Sequence, residues 1–219
     1  MSEKIEPVID LSAIDPERYE QHARFFPKVS REPIGPSFGP FVEVLRRVQD
    51  LAVSVDAPDG VYAEAAALAE RLAALLEPHR APELQGPAGR AVELPGRGSL
   101  LLLPWQTAEA GPDGVAMTGV FRRFHLGGNG AAHGGVLPLL FDELFGSVLH
   151  YAGRPISRTG YLHVNYRKVT PLERTLAVRG RVDRVQGRKT FVTAELRDEQ
   201  GEKLADAEGL MIQLLPGQP

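Results

Sequence analysis

The sequence predicts an α+β fold in which an antiparallel sheet packs on one long central helix, behind an N-terminal helical extension. An apolar helical pattern covers residues 135–151, and four strand-like runs follow it. Two further strand-like runs precede that helix, at 99–105 and 115–124. Runs of strands with short connections favour antiparallel pairing over a parallel sheet.

The strands after the helix are delimited by turn signals. The runs "TGYLHVNYR", "TLAVRGRVDRV", "KTFVTAELR" and "EKLADAEGLMIQL" are separated by "KVTPLE", "QG" and "DEQG". Glycine and polar residues in such short connections are typical of hairpins. We therefore expect hairpins at the last two connections.

The first part of the chain predicts a separate helical extension. Residues 1–40 are rich in proline and irregular, and two amphipathic helical patterns follow them. The expected packing faces are Val44, Leu45, Val48, Leu51 and Ala52 in the first helix, and Val61, Ala65, Leu68, Leu72, Leu75 and Leu76 in the second. Residues 81–98 are rich in proline and glycine, which marks a boundary between units 1–95 and 96–219.

The composition excludes several classes of protein. The chain of 219 residues has no cysteine, so disulfide and thiolate chemistry are absent and a reducing compartment is expected. The first residues lack an apolar segment of signal-peptide length, and the apolar runs are too short to span a bilayer. We expect a cytoplasmic protein. The net charge of −3 gives no overall attraction to nucleic acid.

The net charge hides a local asymmetry. Residues 151–189 carry ten basic side chains and two acids, a balance of +8, so the rest of the chain sums to −11. A local positive field suits a small polyanionic ligand, whereas the alternative is a set of solvated strand residues. The basic residues are Arg154, Arg158, Arg167, Lys168, Arg174, Arg179, Arg181, Arg184, Arg188 and Lys189.

The segment "NGAAHGGVLPLLFDELFG", residues 129–146, is the strongest candidate for chemistry. Two adjacent glycines at the start of a helix let a ligand approach the main chain closely. Pro138 fits the first helical turn, so the N–H groups of Gly134 to Leu137 should point outward at the positive end of the helix dipole. Such donors can stabilise a carbonyl oxygen that develops negative charge, with His133 beside them.

Asp142 lies within the apolar pattern of the same helix. A carboxylate among Leu139, Phe141 and Phe145 suggests a functional role, and the alternative is a solvent-facing acid next to Glu143. Of the two acids, Glu143 is predicted to be the solvated one. Asp142 follows Gly134 by eight residues, about 12 Å along a helix axis, so one helix cannot bring both groups to one reacting centre. Two antiparallel copies could, which predicts a composite site in a homodimer.

These residues carry a resemblance to a known family. Residues 129–213 resemble the hotdog-fold acyl-CoA thioesterases, most of all the PaaI-like branch within the 4-hydroxybenzoyl-CoA thioesterase superfamily. "HGGVLPLLFD" reproduces the His-Gly-Gly motif followed, after six residues, by Asp. The later stretch with "VNYRKVTPLE" and "QGRK" is similar to the family's later strands. The likeness extends over residues 98–219.

The resemblance implies roles for individual residues. Asp142 corresponds to the carboxylate that acts as general base or nucleophile, and Thr159 to the hydroxyl residue that positions water. Gly134 and Gly135 correspond to the backbone donors at the thioester carbonyl, with His133 beside them. Some relatives have Asn six residues before that His, where this chain has Gly127, and Asn129 lies close by. Binding of the coenzyme A phosphates would explain the cluster of basic residues at 151–189. The side chains expected to contact these phosphates are Arg167, Lys168, Arg188 and Lys189.

The resemblance implies an acyl-CoA thioesterase of lipid metabolism. A homodimer is the smallest assembly expected, and the resemblance also allows a tetramer. No metal or redox cofactor is expected, because the chain has no HExxH or GxGxxG pattern. The absence of G-x-S-x-G argues against a serine nucleophile elbow. Two alternatives stay open. One is a hotdog dehydratase acting on acyl thioesters, and the other is a regulatory protein that binds acyl-CoA without turnover. The acyl chain and the role of residues 1–95 are left undetermined by these patterns.

Overall fold

The computed structural model describes residues 29–215 of the chain. Two helices form the extension: α1, Phe38–Ala52, and α2, Asp59–Leu76. The main body contains one long helix, α3, Val136–Tyr151. Three 3₁₀ turns lie at Glu77–His79, Pro95–Gly98 and Arg123–His125.

Six strands form one antiparallel sheet, as the sequence predicts. Its members are β1, Gln106–Gly111; β2, Gly114–Gly119; β5, Ser157–Tyr166; β6, Leu176–Gln186; β7, Lys189–Asp198; and β8, Lys203–Gln213. The order across the sheet is β1-β2-β6-β7-β8-β5. The first two and the last three members are joined by hairpins at the expected turns. β5 follows α3 in the chain and lies at the edge beyond β8.

The core lies between α3 and the inner face of the sheet. The apolar pattern of α3 buries one wide face that contacts every strand of the sheet. Glycines on the strands allow this close packing: a Cβ on Gly209 of β8 would lie 2.6 Å from the Phe145 ring. This sheet wrapped on one helix is the hotdog arrangement, so the predicted fold class is confirmed.

The strands before α3 differ from the prediction, and the run expected at 115–124 forms a strand only as far as Gly119. Residues 99–105, expected to form the first strand, are irregular, and β1 begins only at Gln106. Leu103 and Trp105 are nevertheless buried, so the run is apolar because it packs on the core rather than because it pairs. A small hairpin, β3 at Leu126–Gly128 and β4 at Ala131–Ala132, precedes α3 and has too few residues to show periodicity.

The helices of the extension exist, but the predicted packing faces are wrong. α1 buries Val42 and Arg46, whereas Val44 and Val48 are 60% and 53% exposed. α2 has no buried residue. Neither apolar stripe is therefore buried by the part of the chain that the structure describes. The division at residue 95 stays a prediction, and within residues 29–215 no helix has the length and apolar character to cross a membrane.

Candidate functional site

The start of α3 is held against the β3–β4 hairpin. The His133 N–H donates to the backbone oxygen of His125 at 2.7 Å. A Cβ on Gly127 would lie 2.6 Å from the His133 Cα, so only glycine fits at that position. This chain therefore has no room for the asparagine that some relatives place there. Asn129 lies in the hairpin turn, exposed and with a φ of 50°, a conformation that Asn tolerates better than most residues.

The N–H groups at the helix start are less free than the sequence predicts. Gly135 donates to the His133 Nδ1 at 3.0 Å, Val136 to the His133 oxygen, and Leu137 to the Gly134 oxygen. Among the described residues, only the Gly134 N–H of this set has no acceptor. The expectation of four outward donors is wrong because a local turn uses three of them. Since the His133 Nδ1 accepts, the neutral ring carries its proton on Nε2 and can donate from that side.

Tyr166 fixes the glycine pair from the opposite side. Its hydroxyl, at the end of β5, donates to the Gly134 carbonyl oxygen at 2.9 Å. That carbonyl belongs to the peptide whose N–H is on Gly135, so the bond sets the plane of this peptide. Tyr166 is not among the site residues predicted from the sequence. Strand alternation could have indicated it, because Tyr166 shares a face of β5 with Leu162 and Val164.

Asp142, on α3, lies beside the start of β5, at the opposite end of that strand from Tyr166. Its Oδ1 accepts a hydrogen bond from the Thr159 Oγ1 at 2.7 Å. Both side chains are exposed in the single chain, so the expected burial of Asp142 in the apolar face is wrong. The helical period explains this: Asp142, Gly146 and His150 form an exposed stripe opposite the buried positions. The structure thus brings together Asp142 with Thr159, and His133 with the two glycines, as two separate groups.

Glu143 is not the solvated acid that the sequence predicts. Its side chain is 22% exposed, and its Oε2 accepts a hydrogen bond from Arg97 at 3.0 Å. Burial raises the pKa of Glu143, and so does the charge of Asp142, while Arg97 opposes both. Arg97 has a φ of 53° within the Pro95–Gly98 turn, an unfavourable conformation for a residue other than glycine.

The four predicted phosphate contacts lie at two ends of the sheet. Arg167 binds Asp206 through two hydrogen bonds, and Lys168 pairs with Glu202, both near the Tyr166 end of β5. Arg188 donates to the Gln213 oxygen, and Gln213 pairs with Ser157 at the opposite end. The exposed Lys189 begins β7 beside Arg188. One chain therefore cannot bring both pairs to the same phosphate.

A groove of about 1110 Å³ crosses the outer face of the sheet, and Asp206, the partner of Arg167, lies in its wall. Charged side chains line it and pair with one another across the strands, as Glu109 does with Arg179 and Glu195 with Lys203. Neither Asp142 nor the glycine pair contributes to its walls. We therefore assign the candidate site to the α3–β5 side. Within residues 29–215, no cluster of three or more His, Asp or Glu side chains has the arrangement of a metal site.

A family model matches this part of the chain. Residues 129–205 match the thioesterase superfamily, and they include the helix α3, the strand β5 and every predicted site residue. The matched segment is 77 of the 219 residues and is similar to that superfamily. The recognition made on the His-Gly-Gly and Asp pattern is thereby confirmed.

Individual relatives agree with this assignment. Acyl-coenzyme A thioesterase THEM4 of Bos taurus is 30% identical over 88 residues, which is 40% of this chain and 35% of that protein. The Rattus norvegicus protein of that name is 31% identical over 91 residues, 41% of this chain and 39% of its own length. The match thus spans little more than a third of these relatives.

One solved structure shows the same fold over most of the chain. This thioesterase superfamily protein superposes with a TM-score of 0.73 and 24% identity, covering 84% of this chain and 95% of its own. The superposed part of the chain is longer than residues 129–205, the segment that the family model matches. The likeness supports the hotdog fold of the main body.

Proposed function

We propose that this chain hydrolyses an acyl-CoA thioester to a free acid and coenzyme A, at a site shared by two copies of the chain. The observation that carries the proposal is the placement of two complementary half-sites at opposite ends of β5. Asp142 contacts Thr159 near the start of the strand, and Gly134 contacts Tyr166 at its end. One half-site can activate water, and the other can polarise a carbonyl.

The half-sites of one chain are too far apart to act on one carbonyl. Thr159 and Tyr166 are separated by seven residues, about 24 Å along an extended strand. Asp142 and Gly134 are separated by about 12 Å along the helix. Attack requires the reacting atoms to approach within about 3–3.5 Å, so each half-site needs a complement from elsewhere.

A two-fold axis beside β5 supplies that complement. β5 is an edge strand of ten residues, and an exposed edge presents unpaired N–H and C=O groups. If two copies of β5 pair antiparallel about an axis between Leu162 and His163, Thr159 of one copy lies opposite Tyr166 of the other. Each site then combines the Asp142 of one copy with the glycine pair of the other. The exposed stripe of α3 faces the same axis, and Gly146 leaves it room for close approach.

The chemistry follows from the two halves. The thioester carbonyl oxygen accepts hydrogen bonds from the Gly134 N–H and from the Gly135 N–H once it leaves His133. Asp142 takes a proton from a water held by Thr159, or attacks the carbonyl carbon itself. Collapse of the tetrahedral intermediate breaks the carbon–sulfur bond, and the thiolate of coenzyme A leaves. In the general-base case the proton that Asp142 took from water goes to that thiolate, and the neutral His133 ring can donate a hydrogen bond to the leaving sulfur from Nε2. In the nucleophile case, water then hydrolyses the acyl-Asp142 anhydride.

The same symmetry would gather the basic residues. Arg188 and Lys189 lie at the Asp142 end of β5, and Arg167 and Lys168 at the glycine end. When β5 pairs with a second copy, each site receives Arg188 and Lys189 from one chain and Arg167 and Lys168 from the other. The phosphates of coenzyme A would be bound mainly by Arg188 and Lys189, because Asp206 and Glu202 already neutralise the other two.

Free-thiol release from a panel of acyl-CoAs tests the activity. Short, long and aromatic acyl chains should be offered to the wild-type protein at equal concentration. We expect release that saturates with substrate, with a kcat in the range of about 1–10³ s⁻¹ for the preferred chain. Binding of acyl-CoA without thiol release would contradict the proposal in favour of the regulatory alternative. A change in acyl unsaturation without thiol release would indicate the dehydratase alternative.

A further inference from the structure

The helix α1 is anchored firmly to the body of the protein. Arg46, 4% exposed, donates from Nη2 to the carbonyl oxygens of Pro95 and Ser99, both at 2.9 Å. Burial lowers the pKa of Arg46, and the charge of Glu43 opposes that effect. Two backbone acceptors satisfy a buried guanidinium that would otherwise be costly. The anchor fixes the position of the next turn of α1, which carries Asp50.

Asp50 reaches the segment before the β3–β4 hairpin. It lies one helical turn after Arg46, on the same face of α1. Its Oδ2 accepts from the Arg122 Nε at 2.6 Å, and its Oδ1 accepts from the Phe124 N–H at 3.0 Å. Asp50 is therefore bonded both to a side chain and to the backbone of the 3₁₀ turn that contains His125.

The same turn holds His133. The Arg122 N–H donates to the His125 Nδ1 at 2.9 Å, which fixes the ring, and its Phe121 and Phe124 neighbours pack edge-on against it. The backbone oxygen of His125 accepts the His133 N–H at 2.7 Å. Four hydrogen bonds thus connect a carboxylate in the extension to the histidine beside the glycine pair.

We propose that Asp50 is a positioning residue for His133, so that the N-terminal extension sets the geometry of the proposed active site. This inference rests on the proposed function. Within residues 29–215, the extension acts on this site through the contacts of Asp50 with Arg122 and Phe124. It holds the 3₁₀ turn at Arg123–His125, and this turn fixes the backbone from which His133 and the glycine pair project. A small displacement of such groups lowers the rate of the chemical step more than it weakens substrate binding.

Kinetics of two Asp50 variants test this role. Asp50→Ala should lower kcat by about 10- to 100-fold with KM within about 2-fold, because misplacement acts on the reacting geometry. Asp50→Asn should recover part of kcat, since its amide oxygen can accept the Phe124 N–H. Asp56→Ala is the matched control, an exposed acid that follows α1, and it should behave as wild type. An unchanged kcat in Asp50→Ala, or a loss confined to KM, would overturn the inference.

Amide hydrogen exchange tests the coupling without any turnover. In Asp50→Ala, the His133 and Phe124 amides should exchange about 10-fold faster, and Asp50→Asn should show a smaller change, while the buried Val192 amide of β7 keeps its wild-type rate. Unchanged exchange at His133, or equal acceleration at His133 and Val192, would overturn the inference. If the wild type releases no thiol, the proposed function fails, but the exchange result still decides whether Asp50 positions His133.

Discussion

Replacement of Asp142 by Asn is expected to lower kcat by about 10²- to 10⁴-fold for the preferred acyl-CoA, the usual contribution of a positioned general base. Asn has the same shape, and its amide oxygen can keep the hydrogen bond from Thr159. The substitution therefore removes the basic and nucleophilic oxygen while leaving the local packing intact. Steady-state thiol release with KM determined separately measures the effect.

The control for this variant is Asp113→Asn, in the turn between β1 and β2. Asp113 is an exposed acid beside the outer groove and distant from both half-sites, so its replacement should leave kcat unchanged. Equal thiol release by the wild type and Asp142→Asn would show that another residue activates the nucleophile. The assignment of the enzyme class would survive that result, and the assignment of the site would not.

Replacement of Phe145 by Ala is expected to lower the free energy of unfolding by about 3–5 kcal/mol. Phe145 is completely buried, and the glycine at position 209 of β8 provides the space for its ring. The neighbouring strands cannot close the cavity, because they are fixed in one continuous sheet. Urea denaturation at constant protein concentration should show a lower midpoint with an unchanged slope.

Leu101→Ala provides the comparison for the core variant. Leu101 is 74% exposed in the irregular stretch before β1, so its truncation should change the free energy of unfolding by less than about 0.5 kcal/mol. A Phe145→Ala effect as small as that of Leu101→Ala would mean that α3 is not the centre of the core.

The α3 helix and the strands after it could be predicted because their signals are local. The apolar run of α3 and the turns "QG" and "DEQG" each specify their structure within a few residues. The same holds for the His-Gly-Gly motif and Asp142, which lie on one helix. The position of β5 at the edge, next to β8, could not be predicted in this way, because it depends on contacts between strands that are distant in the sequence.

Other features depend on geometry that periodicity does not report. The apolar stripes of α1 and α2 predict packing faces that residues 29–215 do not bury, and the buried side of α1 contains a charged residue, Arg46. The pattern shows that a helix has an apolar side but not what covers it. Likewise, Arg97 meets Glu143 across 46 residues, a distance at which one sequence carries no pairing signal.

The exposure of Asp142 shows a further limit of the sequence. Asp142 is adjacent to Phe141 in the chain, yet it lies on the exposed stripe of the helix, whereas Phe141 lies on the buried face. Neighbours three and four positions away decide its environment, and these include the exposed Gly146. The proposed second copy would cover this stripe.

Subunit mixing tests the central claim, a thioesterase site shared by two copies, most directly. Gly135→Trp should disable the glycine half-site, since even a Cβ there lies 3.2 Å from the His133 ring, and Asp142→Ala should disable the other half. Each variant alone should release almost no thiol. Co-refolding them in equal amounts should restore about a quarter of the wild-type rate, because half of the dimers are mixed and each has one intact site. Mixed dimers that form but stay inactive would contradict the shared site.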